Sequence, residues 1–157
     1  MFMVDCVLVT GGCGYIGSHT VLALLEQGYI VYIIDSHENS NALVIKRLLD
    51  IFNSKNINLF QKLHHFKGDV RSALDLEKVF KKAKNNGQEI NAVIHFAGLK
   101  SVKDSFKYPL SYWDNNLNGT INLLKIMRKF SCKTLIFSSS ATIYLNTQKK
   151  FIKEQET

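Results

Sequence analysis

Three glycines near the amino terminus, Gly12, Gly14 and Gly17, stand at the spacing G-x-G-x-x-G. A second spacing, G-x-x-G-x-x-G, starts at Gly11 and ends on the same two glycines. A β-branched run, Val7–Thr10, precedes them, and an apolar helical pattern follows. Glycines in such a turn let the main chain approach a pyrophosphate, which the N-terminus of the next helix stabilises. The motif alone is weak evidence, but its place between a strand and a helix favours a dinucleotide site.

Asp35 ends the second strand pattern, where its carboxylate is expected to bind a nucleotide ribose. A carboxylate there can accept both hydroxyls of an adenosine ribose and repels a 2′-phosphate, so it favours NAD over NADP. The alternative is a helix cap or an ordinary loop aspartate. The polar residues that follow are expected to line the adenosine pocket: Ser36, His37, Glu38, Asn39 and Ser40.

Two more stretches follow strand patterns at the same expected edge of the sheet. Asp69, in Gly68-Asp69-Val70, is placed either to accept the adenine amino group or to cap the helix that begins near Ala73. The other stretch, His95–Lys100, offers bare backbone against which a dinucleotide can pack, and its alternative is a sharp loop with a solvated lysine. Ligands of open α/β sheets bind beyond such strand ends.

Hydroxyl and amide side chains supply the remaining polar candidates. Ser138-Ser139-Ser140 closes the fifth strand pattern, where a hydroxyl can hydrogen-bond a sugar or alcohol oxygen. No nucleophile elbow surrounds these serines, so acyl transfer is disfavoured. Asn115 and Asn116 lie in the middle of a long helical pattern, where Asn is a mediocre helix former. These two residues either face solvent or reach a ligand.

No metal site is expected. His64 and His65 alternate across a strand and cannot both face one ion. The three cysteines, Cys6, Cys13 and Cys132, are far apart and form no C-x-x-C pair, which argues against a zinc site or a disulfide framework. In the glycine turn, the helix N-terminus is expected to lower the pKa of the Cys13 thiol. A plain small-residue role is favoured for Cys13.

Bulk properties limit the class of protein. A length of 157 residues suits one domain, and 46% apolar residues is typical of a globular protein. The formal charge of +7 comes from scattered basic residues without interleaved aromatic residues, so no nucleic-acid partner is expected. No stretch is long and apolar enough to span a membrane, and the first residues lack a signal-peptide pattern. We therefore expect a cytoplasmic protein with no membrane partner.

Strand patterns alternate with helical patterns, which predicts β-α-β units and a parallel sheet. The expected strands are Cys6–Thr10, Ile30–Ile34, Leu63–Lys67, Ala92–Phe96 and Thr134–Ser138. The expected helices are Ile16–Gln27, Ala42–Phe52, Ala73–Asn85 and Pro109–Phe130. Strands that are apolar on both faces require helices on both sides of the sheet. The predicted fold is one α/β domain, residues 1–157, with a doubly wound parallel sheet.

Four runs of the sequence resemble the extended short-chain dehydrogenase/reductase family, and within it the UDP-glucose 4-epimerases. The runs are Gly11–His19, Ala92–Lys100, Tyr112–Thr120 and Phe137–Tyr144. The resemblance implies a Rossmann-type domain that binds NAD and a hydride transfer at sugar C4 that interconverts UDP-glucose and UDP-galactose. Nucleotide-sugar 4,6-dehydratases carry an acidic pair where this chain has Ala141 and Thr142, so the epimerase branch is favoured.

The resemblance also implies roles by position. The backbone of Tyr15 and Ile16 is expected at the pyrophosphate, and Asp69 with Val70 at the adenine. Ser140, as the catalytic candidate, is expected to hydrogen-bond the 4-oxygen of the sugar, and Lys100 to contact the substrate as well. The expected cofactor site comprises Gly11, Gly14, Tyr15, Ile16, Gly17, Asp35, Ser36, Asn39, Ser40, Asp69, Val70, Phe96, Ala97, Gly98, Leu99, Lys100 and Asn115.

One family feature is absent from the sequence. In the family, the tyrosine of a Tyr-x-x-x-Lys pair removes the 4-hydroxyl proton, and the lysine lowers its pKa. None of the six tyrosines here has lysine four places on, and the family places the pair further along than Thr157.

We therefore expect a C-terminally truncated domain, without its later strands or substrate domain, that is inactive alone. Its fifth strand would be an edge with uncovered apolar surface. The alternative is a non-catalytic NAD-binding module or sensor. The resemblance further implies that the full-length protein is a homodimer.

Overall fold

The computed structural model of the protein describes residues 6–55, 59 and 61–140. The strands in this part of the chain are β1 (Cys6–Thr10), β2 (Ile30–Asp35), β3 (Leu63–Lys67), β4 (Ala92–His95) and β5 (Thr134–Phe137). The helices are α1 (Tyr15–Glu26), α2 (Leu43–Ser54), α3 (Ala73–Asn85), α4 (Val102–Lys107), α5 (Pro109–Tyr112) and α6 (Gly119–Lys129). A π-helical segment, Trp113–Asn118, joins α5 to α6.

The five strands form one parallel sheet in the order β3-β2-β1-β4-β5. The chain builds outward from β1 to β3 and then returns to the other side of β1 to add β4 and β5. This reversal leaves a crevice beyond the C-terminal ends of β1 and β4, where open α/β sheets bind ligands. The predicted Rossmann-type, doubly wound sheet is confirmed.

Alternate residues of the central strands pack on opposite faces of the sheet, which gives the domain two apolar layers. On one face, Val7 and Val9 of β1 pack with Val21 of α1 and Leu48 of α2. On the other face, Leu8 of β1 belongs to a cluster that includes residues of α3 and α6. Every residue of β1 is buried because helices cover both faces.

Two helical regions differ from the sequence prediction. Pro109–Phe130, predicted as one α-helix, divides into α5, the π-helical segment and α6. The second region, α4, was not predicted, and it begins where the Ser101 hydroxyl accepts a hydrogen bond from the N–H of Asp104. By contrast, α3 has the predicted bounds, Ala73–Asn85. The helical pattern therefore locates Pro109–Phe130, but neither the change in hydrogen bonding inside it nor the short helix α4.

Within the described residues, β5 is the outer strand beside β4. Its side chains Ile136 and Phe137 are 56% and 54% exposed. None of the helices in the described part of the chain combines the length and apolar character needed to cross a membrane.

Candidate functional site

A cleft of about 290 Å³ opens at the C-terminal ends of β1 to β4. Its walls come mainly from the loops that follow these strands, as the reversal of strand order predicts. The predicted cofactor residues that line it are Gly11, Gly14, Tyr15, Ile16, Gly17, Asp35, Ser36, Asn39, Asp69, Val70, Phe96, Ala97, Gly98, Leu99, Lys100 and Asn115. Ile34 and Ser101 also line the cleft, although neither residue type signals a binding site.

The glycine turn after β1 places bare backbone in the cleft. Gly11 has a φ of +68°, a left-handed conformation that favours glycine. A Cβ atom at Gly11 would lie 2.7 Å from the backbone nitrogen of Ala97, so glycine is what allows the loops after β1 and β4 to meet. Helix α1 begins at Tyr15 directly after the turn, with Gly14 as its N-cap. The first N–H groups and the positive dipole end of α1 therefore suit an anionic group in the cleft.

Three protein donors hold the buried carboxylate of Asp35 at the end of β2. Its Oδ2 accepts the N–H of Cys13 at 2.9 Å, and its Oδ1 accepts the N–H of His37 at 2.9 Å and the hydroxyl of Ser40 at 2.8 Å. A carboxylate accepts about four hydrogen bonds. One acceptor position of the carboxylate therefore remains, whereas the sequence predicted that Asp35 accepts hydrogen bonds from both hydroxyls of a ribose. A second ribose hydroxyl could bind Asp35 only if the Ser40 hydroxyl no longer donated to Oδ1.

Ser40 and His37, both expected to line the adenosine pocket, do not line the cleft, whereas Ser36, Glu38 and Asn39 do. The Ser40 hydroxyl donates to Asp35 and lies 3.1 Å from Nδ1 of His37. Ser40 therefore positions Asp35 and His37 and does not form part of the wall.

The side chains of Cys13, His37 and His65 meet behind Asp35. Burial, together with the charge of Asp35, raises the pKa of Cys13 to about 12, so the expected lowering by the helix N-terminus is wrong. Burial also lowers the pKa of His65. His64 lies on the other side of β3, where its ring stacks on Tyr32 at 4.4 Å between centroids.

Asp69 forms an ion pair at the adenine end of the expected site. Its carboxylate accepts from Nε and Nη2 of Arg71 at 2.6–3.0 Å, and this bonding lowers its pKa. The cap of α3 is Ser72, whose hydroxyl accepts the N–H of Asp75 at 3.2 Å. The alternative of Asp69 as the cap of this helix is therefore wrong, and Asp69 remains a cleft residue.

The loop after β4 lines the cleft from Phe96 to Ser101. The π-helical segment supports this loop, because the side chain of Asn116 hydrogen-bonds the backbone of Leu99. Its neighbour Asn115 is buried and lines the cleft. Of the two alternatives for the Asn pair, solvent exposure does not hold for Asn115, and a ligand contact of Asn115 stays a prediction.

His95, the last residue of β4, is buried below this loop and does not line the cleft. Its Nδ1 lies 2.6 Å from the hydroxyl of Thr10, and its Nε2 lies 3.0 Å from the hydroxyl of Thr120. The Thr120 hydroxyl donates to the carbonyl of Asn116, so it accepts from Nε2–H of His95. Burial lowers the pKa of His95 to about 4, and the neutral ring therefore ties β1 and β4 to α6.

Ser140 lies three residues beyond β5, exposed, and is not among the described residues that line the cleft. The structure therefore brings Lys100 to the cleft but not Ser140. The positions that separate the epimerase and dehydratase patterns, Ala141 and Thr142, lie outside the described residues, as does the rest of that run to Tyr144.

The chain is similar to known sugar-nucleotide enzymes. It is 49% identical over 143 residues to the bifunctional UDP-glucose 4-epimerase and UDP-xylose 4-epimerase 1 of Pisum sativum, covering 91% of this chain and 39% of that protein. It is 48% identical over 143 residues to UDP-glucose 4-epimerase of the same plant, again covering 91% and 39%. The chain thus spans about two fifths of the length of these relatives.

The fold is similar to that of a solved epimerase. The crystal structure of UDP-glucose 4-epimerase from Bifidobacterium longum in complex with NAD+ and UDP superposes with a TM-score of 0.84 and 40% identity. The match covers 97% of this chain and 42% of that one. A protein-family model described as GDP-mannose 4,6 dehydratase matches residues 8–157. The chain therefore belongs to the protein family whose model is described as GDP-mannose 4,6 dehydratase.

Proposed function

We propose that the cleft binds NAD and that the protein interconverts UDP-glucose and UDP-galactose by reversible hydride transfer at sugar C4. The observation that carries the proposal is the cleft itself, where the glycine turn, Asp35 and the loop after β4 meet at the reversal of strand order. When bound, NAD supplies the hydride acceptor and donor for C4. The residues of this chain bind and orient it.

The residues present fit NAD. The N–H groups of Tyr15 and Ile16, at the start of α1, would hold the pyrophosphate. The glycines of the turn have no side chains, so the pyrophosphate can come close to this backbone. Asp35 and Asn39 would hold the adenosine ribose. Asp69 and Val70 would hold the adenine. The loop Phe96–Lys100 and Asn115 would line the nicotinamide side.

The carboxylate of Asp35 supports NAD over NADP. It is buried and lines the cleft, so a 2′-phosphate would meet a negative charge that solvent screens poorly. The remaining acceptor position can take one ribose hydroxyl, and a second bond forms if the Ser40 hydroxyl turns away from Oδ1.

The relatives support a UDP-sugar as the substrate, since two proteins 49% and 48% identical to this chain are named bifunctional UDP-glucose 4-epimerase and UDP-xylose 4-epimerase 1 and UDP-glucose 4-epimerase. The matching family model is described as GDP-mannose 4,6 dehydratase. At the positions of the acidic pair of dehydratases, however, this chain has Ala141 and Thr142, whose side chains cannot transfer a proton as acids do. Lys100 at the cleft offers a cation for the diphosphate or sugar. Ser140 is proposed to hydrogen-bond the 4-oxygen of the sugar.

The chain by itself is proposed to be inactive because it lacks a Tyr-x-x-x-Lys pair to supply the base. The same observation favours the second candidate function, a non-catalytic NAD-binding module or sensor. The coding sequence after the codon for Thr157 separates the two. An in-frame continuation with a Tyr-x-x-x-Lys pair supports the epimerase, and a stop codon supports the sensor.

We propose a cytoplasmic homodimer for the full-length protein. Large apolar side chains are exposed along α4, α5 and the π-helical segment, where Phe106, Leu110 and Trp113 are 84%, 80% and 64% exposed. Covering such a surface would stabilise a dimer. The three cysteines are thiols, which is typical of a reducing compartment.

Three measurements test the proposed function. Calorimetric titration of the chain should show one NAD bound per chain and weaker binding of NADP. A coupled assay should show no conversion of UDP-galactose by the chain and conversion by a continued protein that contains the tyrosine and lysine. Lys100→Ala should weaken UDP binding, whereas Lys103→Ala, in the same region but outside the cleft, should not. Absence of NAD binding would contradict the proposal.

A further inference from the structure

Three side chains that no part of the proposed reaction uses come together behind Asp35. The Sγ atom of Cys13 and one ring nitrogen each of His37 and His65 lie within 4.8 Å of one another. Cys13 is buried and both histidines are largely covered. None of the three lines the cleft, although the backbone N–H groups of Cys13 and His37 both donate to Asp35, which does.

The two imidazoles point at each other through their Nε2 atoms, which are 3.1 Å apart. The proton of one ring can be placed from its neighbours. The Ser40 hydroxyl donates its only hydrogen to Oδ1 of Asp35 at 2.8 Å, so it can only accept from Nδ1–H of His37 at 3.1 Å. Neutral His37 then carries its proton on Nδ1 and presents a lone pair at Nε2, towards His65.

This arrangement resembles the outer shell of many metal sites. A histidine that binds a metal through one ring nitrogen usually donates the other N–H into a carboxylate or carbonyl, which fixes the ring. Here the relay from His37 through Ser40 to Asp35 fixes the ring in the same way. In the structure, Nε2–H of His65 donates to the lone pair of His37 at 3.1 Å. Both Nε2 atoms become ligands when the His65 proton moves to Nδ1.

The distances suit a small tetrahedral ion. With Zn–N near 2.05 Å and Zn–S near 2.3 Å, two nitrogen ligands stand about 3.4 Å apart and a nitrogen and a sulfur about 3.6 Å apart. The observed separation of the two Nε2 atoms, 3.1 Å, is within a few tenths of the first value. All three ligand atoms lie within 4.8 Å of one another, so a short movement of the Cys13 side chain would bring its sulfur to about 3.6 Å from each nitrogen.

We propose that Cys13, His37 and His65 form a zinc site, with water as the fourth ligand. Thiolate and imidazole are the ligands that zinc prefers, and calcium and magnesium take oxygen ligands instead. On binding, the Cys13 S–H bond breaks, the sulfur donates its electron pair to zinc and the proton goes to solvent. The thiolate and the nearby carboxylate of Asp35 together offset the two charges of the ion.

Cobalt titration of the full chain under reducing conditions tests the site, since Co²⁺ replaces zinc in such sites and absorbs light. We expect one Co²⁺ per chain, the visible bands of a tetrahedral ion, a thiolate-to-cobalt charge-transfer band, and displacement by zinc. Cys13→Ser should abolish the charge-transfer band. His37→Phe and His65→Phe should each weaken binding by at least about tenfold.

Matched controls come from the same chain. His64→Phe changes the neighbouring histidine on the other side of β3, and Cys132→Ala changes a buried thiol outside the cluster. Both should bind Co²⁺ like the original protein. The proposal is overturned if the original protein takes up no stoichiometric Co²⁺, if the charge-transfer band survives in Cys13→Ser, or if His64→Phe weakens binding as much as His65→Phe. Uptake of Co²⁺ is measured on the original protein, so this part of the test stays decisive even if a variant misfolds.

Discussion

Asn116 holds the backbone of Leu99 at two points. Its Oδ1 accepts the N–H of Leu99 at 2.8 Å, and its Nδ2 donates to the carbonyl of Leu99 at 3.0 Å. Leu99 lines the cleft and Asn116 belongs to the π-helical segment, so this pair fixes the loop after β4 to that segment. Asn115, which also lines the cleft, donates to the same Oδ1 at 2.9 Å. One side chain therefore sets the position of two walls of the cleft.

Replacing Asn116 by Ala should loosen this loop and weaken NAD binding. The change removes two hydrogen bonds to Leu99, and at about 1 kcal/mol net for each bond the chain should lose about 2 kcal/mol of unfolding free energy. Urea unfolding and NAD titration measure the two effects. Asn118→Ala is the control, because Asn118 is exposed and bonds only Asp114 among the described residues. Equal NAD affinity in both variants would contradict the role of Asn116.

Replacing Gly17 by Ala should destabilise the glycine turn. A Cβ atom at Gly17 would collide with the carbonyl oxygen of Gly11 and lie 2.9 Å from Cα of Gly12, both of them backbone atoms. Overpacking of this kind costs about 1–3 kcal/mol. In Gly98→Ala, the new Cβ would meet only the Asn116 side chain at 3.5 Å, an ordinary contact, so the melting temperature should change little. Thermal melts that show equal losses in the two variants would contradict the close packing at Gly17.

His95 should make the fold sensitive to acid. Its pKa is lowered to about 4 in the folded protein from 6.5, so the folded state keeps the ring neutral while the unfolded state binds a proton below pH 6.5. Stability from this residue is therefore complete above pH 6.5 and is lost as the pH falls towards 4. The lowering of the His95 pKa from 6.5 to about 4 corresponds to about 3 kcal/mol of stability.

Urea unfolding between pH 4 and 7 measures this loss. The slope of stability against pH should be smaller in His95→Gln than in the original protein, whatever the absolute stability of the variant. His19→Gln removes an exposed histidine and should leave the slope unchanged. An unchanged slope in His95→Gln would show that the buried ring does not cause the loss of stability at acid pH.

Removing Arg71 should raise the pKa of Asp69 towards its ordinary value. Hydrogen bonds from the Arg71 guanidinium are the main cause of the lowered pKa of this carboxyl. Titration of the Asp69 carboxyl by NMR in Arg71→Ala measures the change. The carboxyl of Asp50 is a reference that the substitution should not affect, since Arg71 pairs with Asp69, Glu38 and Asp114.

Much of the site follows from the sequence because its chemistry is local. Asp35 ends β2, Gly11 directly follows β1 and Gly98 lies three residues beyond β4, so the parallel sheet brings them to one edge. Residues that line the cleft with their backbone, or with a carboxylate at the end of a strand, can therefore be predicted from short sequence patterns. The bounds of α3 follow from the same kind of local signal, with Ser72 as the cap.

Other features depend on contacts between distant residues. The π-helical segment has the residue pattern of an α-helix, and its altered hydrogen bonding accompanies the contacts of Asn116 with Leu99. His65 reaches Cys13 through the pairing of β2 with β3, in which it stands opposite Ile33. The direction of the Ser40 side chain depends on the bonds that Asp35 already makes. No short pattern contains this information.

NAD is proposed to occupy the cleft at the reversal of strand order. Titration of NAD into the isotopically labelled chain, followed by amide NMR, detects this binding residue by residue. We expect saturable one-to-one binding, with the largest shifts at the N–H groups of residues 11–17 and 96–100. No saturable shifts, or shifts confined to residues away from the cleft, would contradict it.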